Sequence, residues 1–291
     1  MIRILRAGPL CTLQDAGRFG MLAHGVSASG PMDRGAFLAA GALLDQTGST
    51  GIEFTPAGLT LETTEPVRIA FAGGRFKASV DGKARAWPGA AELKAGDRLD
   101  ITPGPAGNYG YLRFEREIDI APVMGSRATN LTVGLGGLEG RALRAGDELR
   151  FGAAGGPVPA PATISAEGPI RVTWGLHADL FPATAREAFV TTPFVISPRL
   201  DRMGARLEDR GGVFAGAKSL TLVSDAIVAG DVQILGDGTP IVLLRDHQPT
   251  GGYPRIATVI SADLDRFVQL RPGTAVTFQP ITVAKAQGLL K

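Results

Sequence analysis

The greatest density of reactive side chains lies in residues 240–256, Pro240-Ile241-Val242-Leu243-Leu244-Arg245-Asp246-His247-Gln248-Pro249-Thr250-Gly251-Gly252-Tyr253-Pro254-Arg255-Ile256. An acid (Asp246), an imidazole (His247), an amide (Gln248), a phenol (Tyr253) and a guanidinium (Arg255) fall within ten residues. Together these groups can move a proton, donate to a developing oxyanion and hold an anion. An apolar run of strand length enters the stretch, and Ile256-Ala257-Thr258-Val259-Ile260 leaves it. Binding groups tend to sit on loops that a rigid scaffold holds. A solvated hairpin loop explains the same composition, because polar residues and Gly-Gly are ordinary turn chemistry. The residues alone leave both readings open.

A second cluster, Arg199-Leu200-Asp201-Arg202-Met203-Gly204-Ala205-Arg206-Leu207-Glu208, sets three guanidiniums among acids. It reads either as an ion-pair lattice or as a bidentate anion site. His24, His177 and His247 lie far apart, and none has zinc-type spacing to Cys, Asp or Glu, so no metal site is expected. Gly134-Leu135-Gly136-Gly137-Leu138-Glu139-Gly140 fails the G-x-G-x-x-G pattern at Glu139 and is not followed by a helix pattern. No Walker A pattern occurs. Gly25-Val26-Ser27-Ala28-Ser29 does not make a nucleophile elbow. The single cysteine, Cys11, reads as a small buried hydrophobe.

Elements that must position these groups are mostly strands. The chain has 291 residues, 44% hydrophobic and 20% charged, with 40 Gly and 20 Pro, which suits short strands joined by tight turns. Strands are expected at 2–6, 52–54, 59–62, 67–71, 76–80, 109–114, 170–174, 194–196, 220–223, 227–228 and 232–234. Asp81-Gly82 marks a hairpin. A helix is expected after Ser29 or Gly30 as cap, with Pro31 and Asp33 in its first turn, ending near Gln46. Short helices are expected within 182–190 and from a Ser261 cap. Turn-plus-strand copies at 92–101, 142–151 and 269–278 read as closing strands of barrel-like units. Residues 152–161 are built of breakers and read as a linker. The expected division is an N-terminal β-rich domain, 1–157, and a C-terminal barrel, 158–291. A net charge of +2 gives no nucleic-acid or membrane footprint. No signal peptide is visible at the N-terminus and no apolar run approaches a membrane span, so a cytoplasmic protein is expected.

Long motifs across the chain resemble one family. Gly8-Pro9-Leu10 with Thr12-Leu13-Gln14-Asp15-Ala16-Gly17-Arg18, and Gly25-Val26-Ser27-Ala28-Ser29-Gly30-Pro31-Met32-Asp33, are similar to the opening of the KipA, or allophanate hydrolase subunit 2, family. These proteins are also described as C subunits of 5-oxoprolinase and as biotin-dependent carboxyltransferase-like proteins. Gly125-Ser126-Arg127-Ala128-Thr129-Asn130-Leu131, Ser197-Pro198-Arg199 with Asp201-Arg202-Met203-Gly204, and residues 246–261 continue the resemblance in family order. His247 and Pro249 stand where the family usually has Arg and Thr. The resemblance implies a mainly β fold, two β-barrel-like domains of cyclophilin-like type with a few short helices. It implies two partners, a homologous B subunit and a third, the A subunit. It implies an ATP-dependent hydrolase that opens the lactam of 5-oxoproline to glutamate, the ATP being used by the complex. Under it, Asp246, Gln248 and Tyr253 are the expected catalytic residues. Arg18, Ser29, Asp33, Asn130, Arg202 and Arg255 are the expected substrate-binding residues. Two alternatives travel with the family: the carboxyltransferase part of a biotin-dependent urea-carboxylase-like system, and a regulatory binding protein of a histidine kinase pathway.

Overall fold

The computed structural model describes residues 1–157, 167–216 and 222–289. The chain divides into two compact units: Met1–Met21 with Ala28–Thr163, and Leu22–Ser27 with Ile164–Lys291. The fold is mainly β, with sheets that form a half-barrel and a nearly closed barrel. No helix among the described residues is long and apolar enough to cross a membrane.

The first unit is built on one long strand, Arg98–Phe114. Its start pairs with Leu59–Thr63, its end with Gly51–Phe54, and most of its length with Val67–Val80. The strands expected at 67–71 and 76–80 are therefore halves of a single 14-residue strand. Between the two halves the strand bulges and does not break. Register shifts fall at Gly73/Arg75 and Arg75/Lys77. A Cβ on Gly104 would collide with the Arg75 carbonyl oxygen, so only glycine lets the two backbones approach. Residues of these strands and of Ile2–Ala7 and Thr12–Gln14, including Ile2, Ile4, Leu13, Ile52, Phe54, Leu61, Phe71, Leu99 and Phe114, bury one core. At the Asp81-Gly82 turn both residues have positive φ, 48° and 75°, as the hairpin signal predicts.

The expected helix is present but shorter, Arg34–Gly41. Its cap is Asp33, not Ser29 or Gly30. The Asp33 carboxylate accepts the Ala36 N–H at 2.8 Å, satisfying an end donor. The apolar pattern past residue 41 misled: the Leu43 and Leu44 N–H groups donate to the Ala40 and Gly41 carbonyls in short turns. The linker expected at 152–161 begins as strand Phe151–Ala154, paired with Arg116–Ile118. From residue 158 on it lies outside the described residues, as do 220 and 221 of the strand expected at 220–223.

In the second unit, eight strands run in the order Ala275–Val276, Phe194–Leu200, Gly204–Glu208, Pro240–Leu243, Asp231–Ile234, Arg255–Val259, Ile170–Trp174 and Phe278–Pro280. The first and last of these are separated in sequence by Thr277 alone. One residue therefore joins the two ends of the sheet, which curls it towards closure. That junction is the third turn-plus-strand copy, so its expected closing role holds. Helix Ala183–Thr191 contributes Phe189, which stacks on Phe278 at 4.8 Å and sits 5.8 Å from Phe194. Each such ring buries on the order of 2–3 kcal/mol of transfer free energy. Helix Ser261–Val268 starts one residue earlier than a Ser261 cap would place it, with Ile260 at the cap position. Its Asp263 is buried and accepts from the Arg171 backbone N–H at 2.7 Å and from the Arg171 guanidinium, tying the helix to the neighbouring strand. No strand forms at 227–228; the short strand there is Asp225–Ala226.

Candidate functional site

Residues 244–254 are not a hairpin loop. The strands that flank them, Pro240–Leu243 and Arg255–Val259, are not neighbours, because Asp231–Ile234 lies between them and pairs with both. The connection must cross an intervening strand, which explains its length and its internal bonds. At its start Asp246 forms a bidentate ion pair with Arg202, with Nε to Oδ2 at 2.8 Å and Nη2 to Oδ1 at 3.0 Å. Both side chains are at most 2% exposed. The Asp246 backbone N–H also donates to the Arg202 carbonyl at 2.8 Å. The pair thereby clamps the turn 201–203 to the loop. Asp201 completes that turn by accepting the Met203 and Gly204 N–H groups at 2.8 and 3.1 Å.

Beyond the clamp the loop opens onto a cavity of about 490 Å³. Gln248 and Tyr253 reach it from the loop, Asp201 from the opposite turn, and Arg199, Arg206 and Gln233 from the strands. Small-molecule sites occupy this size range and pair an apolar wall with a few polar groups. Here Leu200, Leu235, Ile241 and Leu243 supply the wall. Gln233 was not singled out from the sequence. Its only signal is an amide between two buried aliphatics, Val232 and Ile234, in a strand that is itself buried. Its Nε2 donates to the Tyr253 carbonyl at 3.4 Å, which ties the far end of the loop to the sheet.

Arg255 is buried in a network of its own. It donates to Asp225 Oδ2 and the Ala226 carbonyl, each at 2.6 Å, and to Asp231 Oδ2 at 3.4 Å. Thr258 Oγ1 donates to the other Asp231 oxygen at 2.7 Å. The Ala226 N–H and the Arg255 guanidinium hold the Asp225 carboxyl below the usual carboxylate range. His177 Nδ1 accepts the Arg255 backbone N–H at 3.3 Å. Burial and the nearby guanidinium push the His177 pKa down, and burial does the same for His247, whose Nδ1 lies 2.6 Å from the Gln248 carbonyl oxygen.

The remaining expected site residues, Arg18, Ser29, Asp33 and Asn130, belong to the first unit. Arg18 is 2% exposed. Its guanidinium donates to the Ala128 carbonyl and approaches Ser29 Oγ at 3.4 Å and the Val123 carbonyl at 3.5 Å. Asp15 accepts from Ser126 Oγ at 2.5 Å, Arg127 N at 2.6 Å and Gly17 N at 2.9 Å. The motifs around Arg18 and Asn130 are thus brought together. Asn130 Oδ1 accepts the Thr132 and Val133 N–H groups at 3.0 and 3.2 Å, closing a turn. Asp33 caps the helix, and its backbone N–H donates to Tyr111 Oη at 2.7 Å. Residues 134–140 form turns and isolated bridges and open no helix. Cys11 is fully buried and its thiol pKa is pushed up by burial, which removes thiolate chemistry there. Among the described residues no group of three His, Cys, Asp or Glu could hold a metal ion.

Known proteins with the same sequence and fold features bear on this geometry. Residues 24–280 match the family model for the carboxyltransferase domain, subdomain A and B. The chain is 34% identical to the C subunit of 5-oxoprolinase from Escherichia coli (strain K12), covering 98% of this chain and 93% of that one. It is 32% identical to the C subunit of the Haemophilus influenzae 5-oxoprolinase, covering 99% and 94%. Among solved structures, the Kluyveromyces lactis urea carboxylase superposes with a TM-score of 0.88 at 27% identity, over 98% of this chain but only 28% of that one. The chain therefore belongs to the carboxyltransferase-domain family, subdomain A and B, the family of the 5-oxoprolinase C subunits.

Proposed function

We propose that this chain is the C-type subunit of an ATP-dependent 5-oxoprolinase complex, which opens the lactam of 5-oxoproline to glutamate. Near-full-length identity to two 5-oxoprolinase C subunits carries the reading. The cavity supports it, being small, polar on one side and lined by Arg199, Arg206, Gln233, Gln248 and Tyr253. A lactam carbonyl is a poor electrophile, and phosphorylating its oxygen activates the ring carbon for water. A site for that chemistry needs cationic forks for carboxylate and phosphate, amide donors for the oxyanion and a positioned acid. In this reading the Arg199 and Arg206 guanidiniums hold the anionic groups. The Gln248 amide donates to the lactam carbonyl oxygen, and the Tyr253 hydroxyl supplies the proton that the ring nitrogen takes up as the C–N bond breaks. Asp246 and Arg202 position the loop, and Arg255 fixes its return strand. Ser29, Asp33, Asn130 and Arg18 are candidate substrate-binding groups on the first unit. The turn-rich segment 134–140 opens no helix whose N-terminus could hold a phosphate, and in this reading the ATP is used by the complex. The complex works in the cytoplasm.

The test is reconstitution with the A and B subunits and measurement of ATP-dependent glutamate formation from 5-oxoproline. Turnover should require this chain. Equal turnover without it would refute the proposal. The family match and the 0.88 TM-score to a urea carboxylase favour a second reading, a carboxyltransferase working with a biotinylated partner. Activity abolished by avidin would select that reading over the first.

A further inference from the structure

The first unit holds a second and larger cavity, about 650 Å³, that shares no residue with the one described above. Its wall is mainly apolar, with Phe19, Phe37 and Leu38 on one side and residues 153–157 on the other. Three charged side chains reach it: Arg34, Arg113 and Glu117. Glu117 is already satisfied. Its carboxylate accepts from Ser49 N and Oγ at 2.7 and 2.6 Å and from Thr50 N at 3.1 Å. These donors hold it below the usual carboxylate range despite its burial, which acts the other way.

Arg113 is different. It is 3% exposed, yet its guanidinium donates to two backbone carbonyls, those of Phe37 at 3.0 Å and Gly48 at 2.6 Å, and to no carboxylate among the described residues. Its Nε has no hydrogen-bond partner. The guanidinium carbon stands 3.8 Å from the centroid of the Phe37 ring, whose face meets part of the charge. Burial pulls its pKa down to about 10, and the charge of Glu117 offsets only part of that fall. A buried cation that lacks an ion-pair partner is costly, and a ligand carboxylate would offset that cost. Arg34 adds a second cation at the rim, 5.2 Å from the centroid of the exposed Phe19 ring.

We propose that this cavity is a binding site for a small monocarboxylate with an apolar body, its carboxylate set against Arg113 and Arg34 and its hydrocarbon part against Phe37 and Leu38. The site is separate from the lactam-opening cavity, and its occupancy does not depend on ATP or on partner subunits.

Octanoate and octanol, titrated calorimetrically into the full chain, test it. Both fill the apolar wall, but only octanoate meets the cations. Octanoate should bind saturably and roughly 10-fold or more tighter than octanol, the ratio a charge-assisted contact gives. Arg113→Met should bring octanoate down to the affinity of octanol. Leu38→Trp, at a half-buried helix position, fills the cavity and should abolish octanoate binding; it decides the matter if the Arg113 variant does not fold. Equal affinity for the two probes, no octanoate binding, or octanoate binding retained in Leu38→Trp would overturn the proposal. None of these outcomes bears on the 5-oxoproline assay.

Discussion

Replacing Asp246 with Ala should unfold the second unit more readily than any other single change in the loop. The Arg202 and Asp246 side chains are 2% and 1% exposed and share two short bonds. Removing one partner leaves the other as a buried charge with its desolvation unmet. Such losses run to about 3–5 kcal/mol. Replacing both, as Arg202→Met with Asp246→Leu, removes the desolvation penalty along with the attraction, and should cost less than about half of the single change. The chain supplies its own reporters. It has two tryptophans, Trp87 in the first unit and Trp174 in the second. In a Trp87→Phe background, urea unfolding followed by fluorescence reads the second unit alone. The midpoint should fall sharply in Asp246→Ala, with an unchanged m-value, and recover substantially in the double variant. A loss below about 1 kcal/mol for Asp246→Ala, or a double variant as unstable as the sum of the singles, would refute the clamp.

The histidines of the second unit give a pH prediction. His177 and His247 both have pKa values lowered from the usual 6.5, chiefly by burial, so the unfolded chain takes up protons that the folded chain refuses. Their contribution is present above the unfolded pKa and is lost as pH falls towards the folded values. Urea midpoints should drop as pH falls below about 6.5, and His177→Gln with His247→Gln should flatten that slope. Gly104→Ala should destabilise the first unit by about 2–3 kcal/mol, because the added methyl meets the Arg75 carbonyl and Phe76 backbone. Trp87 fluorescence in a Trp174→Phe background reads that loss. In the reconstituted complex, Gln248→Ala should lower turnover by roughly 100-fold, as loss of an oxyanion donor does, while leaving the urea midpoint unchanged. A fall in stability equal to the fall in rate would assign Gln248 a packing role instead.

How the site relates to the sequence is clearest at residues 240–256. The type of each reactive group was legible, and so was the buried strand that delivers them, because alternation and turn residues are local signals. The hairpin alternative was equally consistent with those signals. It fails only because Asp231–Ile234 inserts between the flanking strands, a pairing set by residues far from the loop. The same limit explains Arg199 to Glu208. The ion-pair reading of that cluster holds at Arg202, which is in a buried pair, whereas Arg199 and Arg206 line the cavity. Alternating strand geometry decides which guanidinium points where, and the register is set by the partner strand. Gln233 was passed over because one amide in an apolar strand has no local signature.

The sequence by itself determined the mainly β class, most strand positions, the Asp81-Gly82 turn and the family. Each depends on neighbours within a few residues or on long motifs that survive as strings. Tertiary structure alone decided the lengths of the bent strands, where a missing Cβ at Gly104 permits a close approach. It decided the near-closure of the second sheet through Thr277, and the burial of Arg113 without an ion-pair partner among the described residues. It also decided the fate of Asp246. The carboxylate's chemistry is written in its residue type, but a guanidinium 44 positions away takes both of its oxygens, and only the folded chain brings the two together.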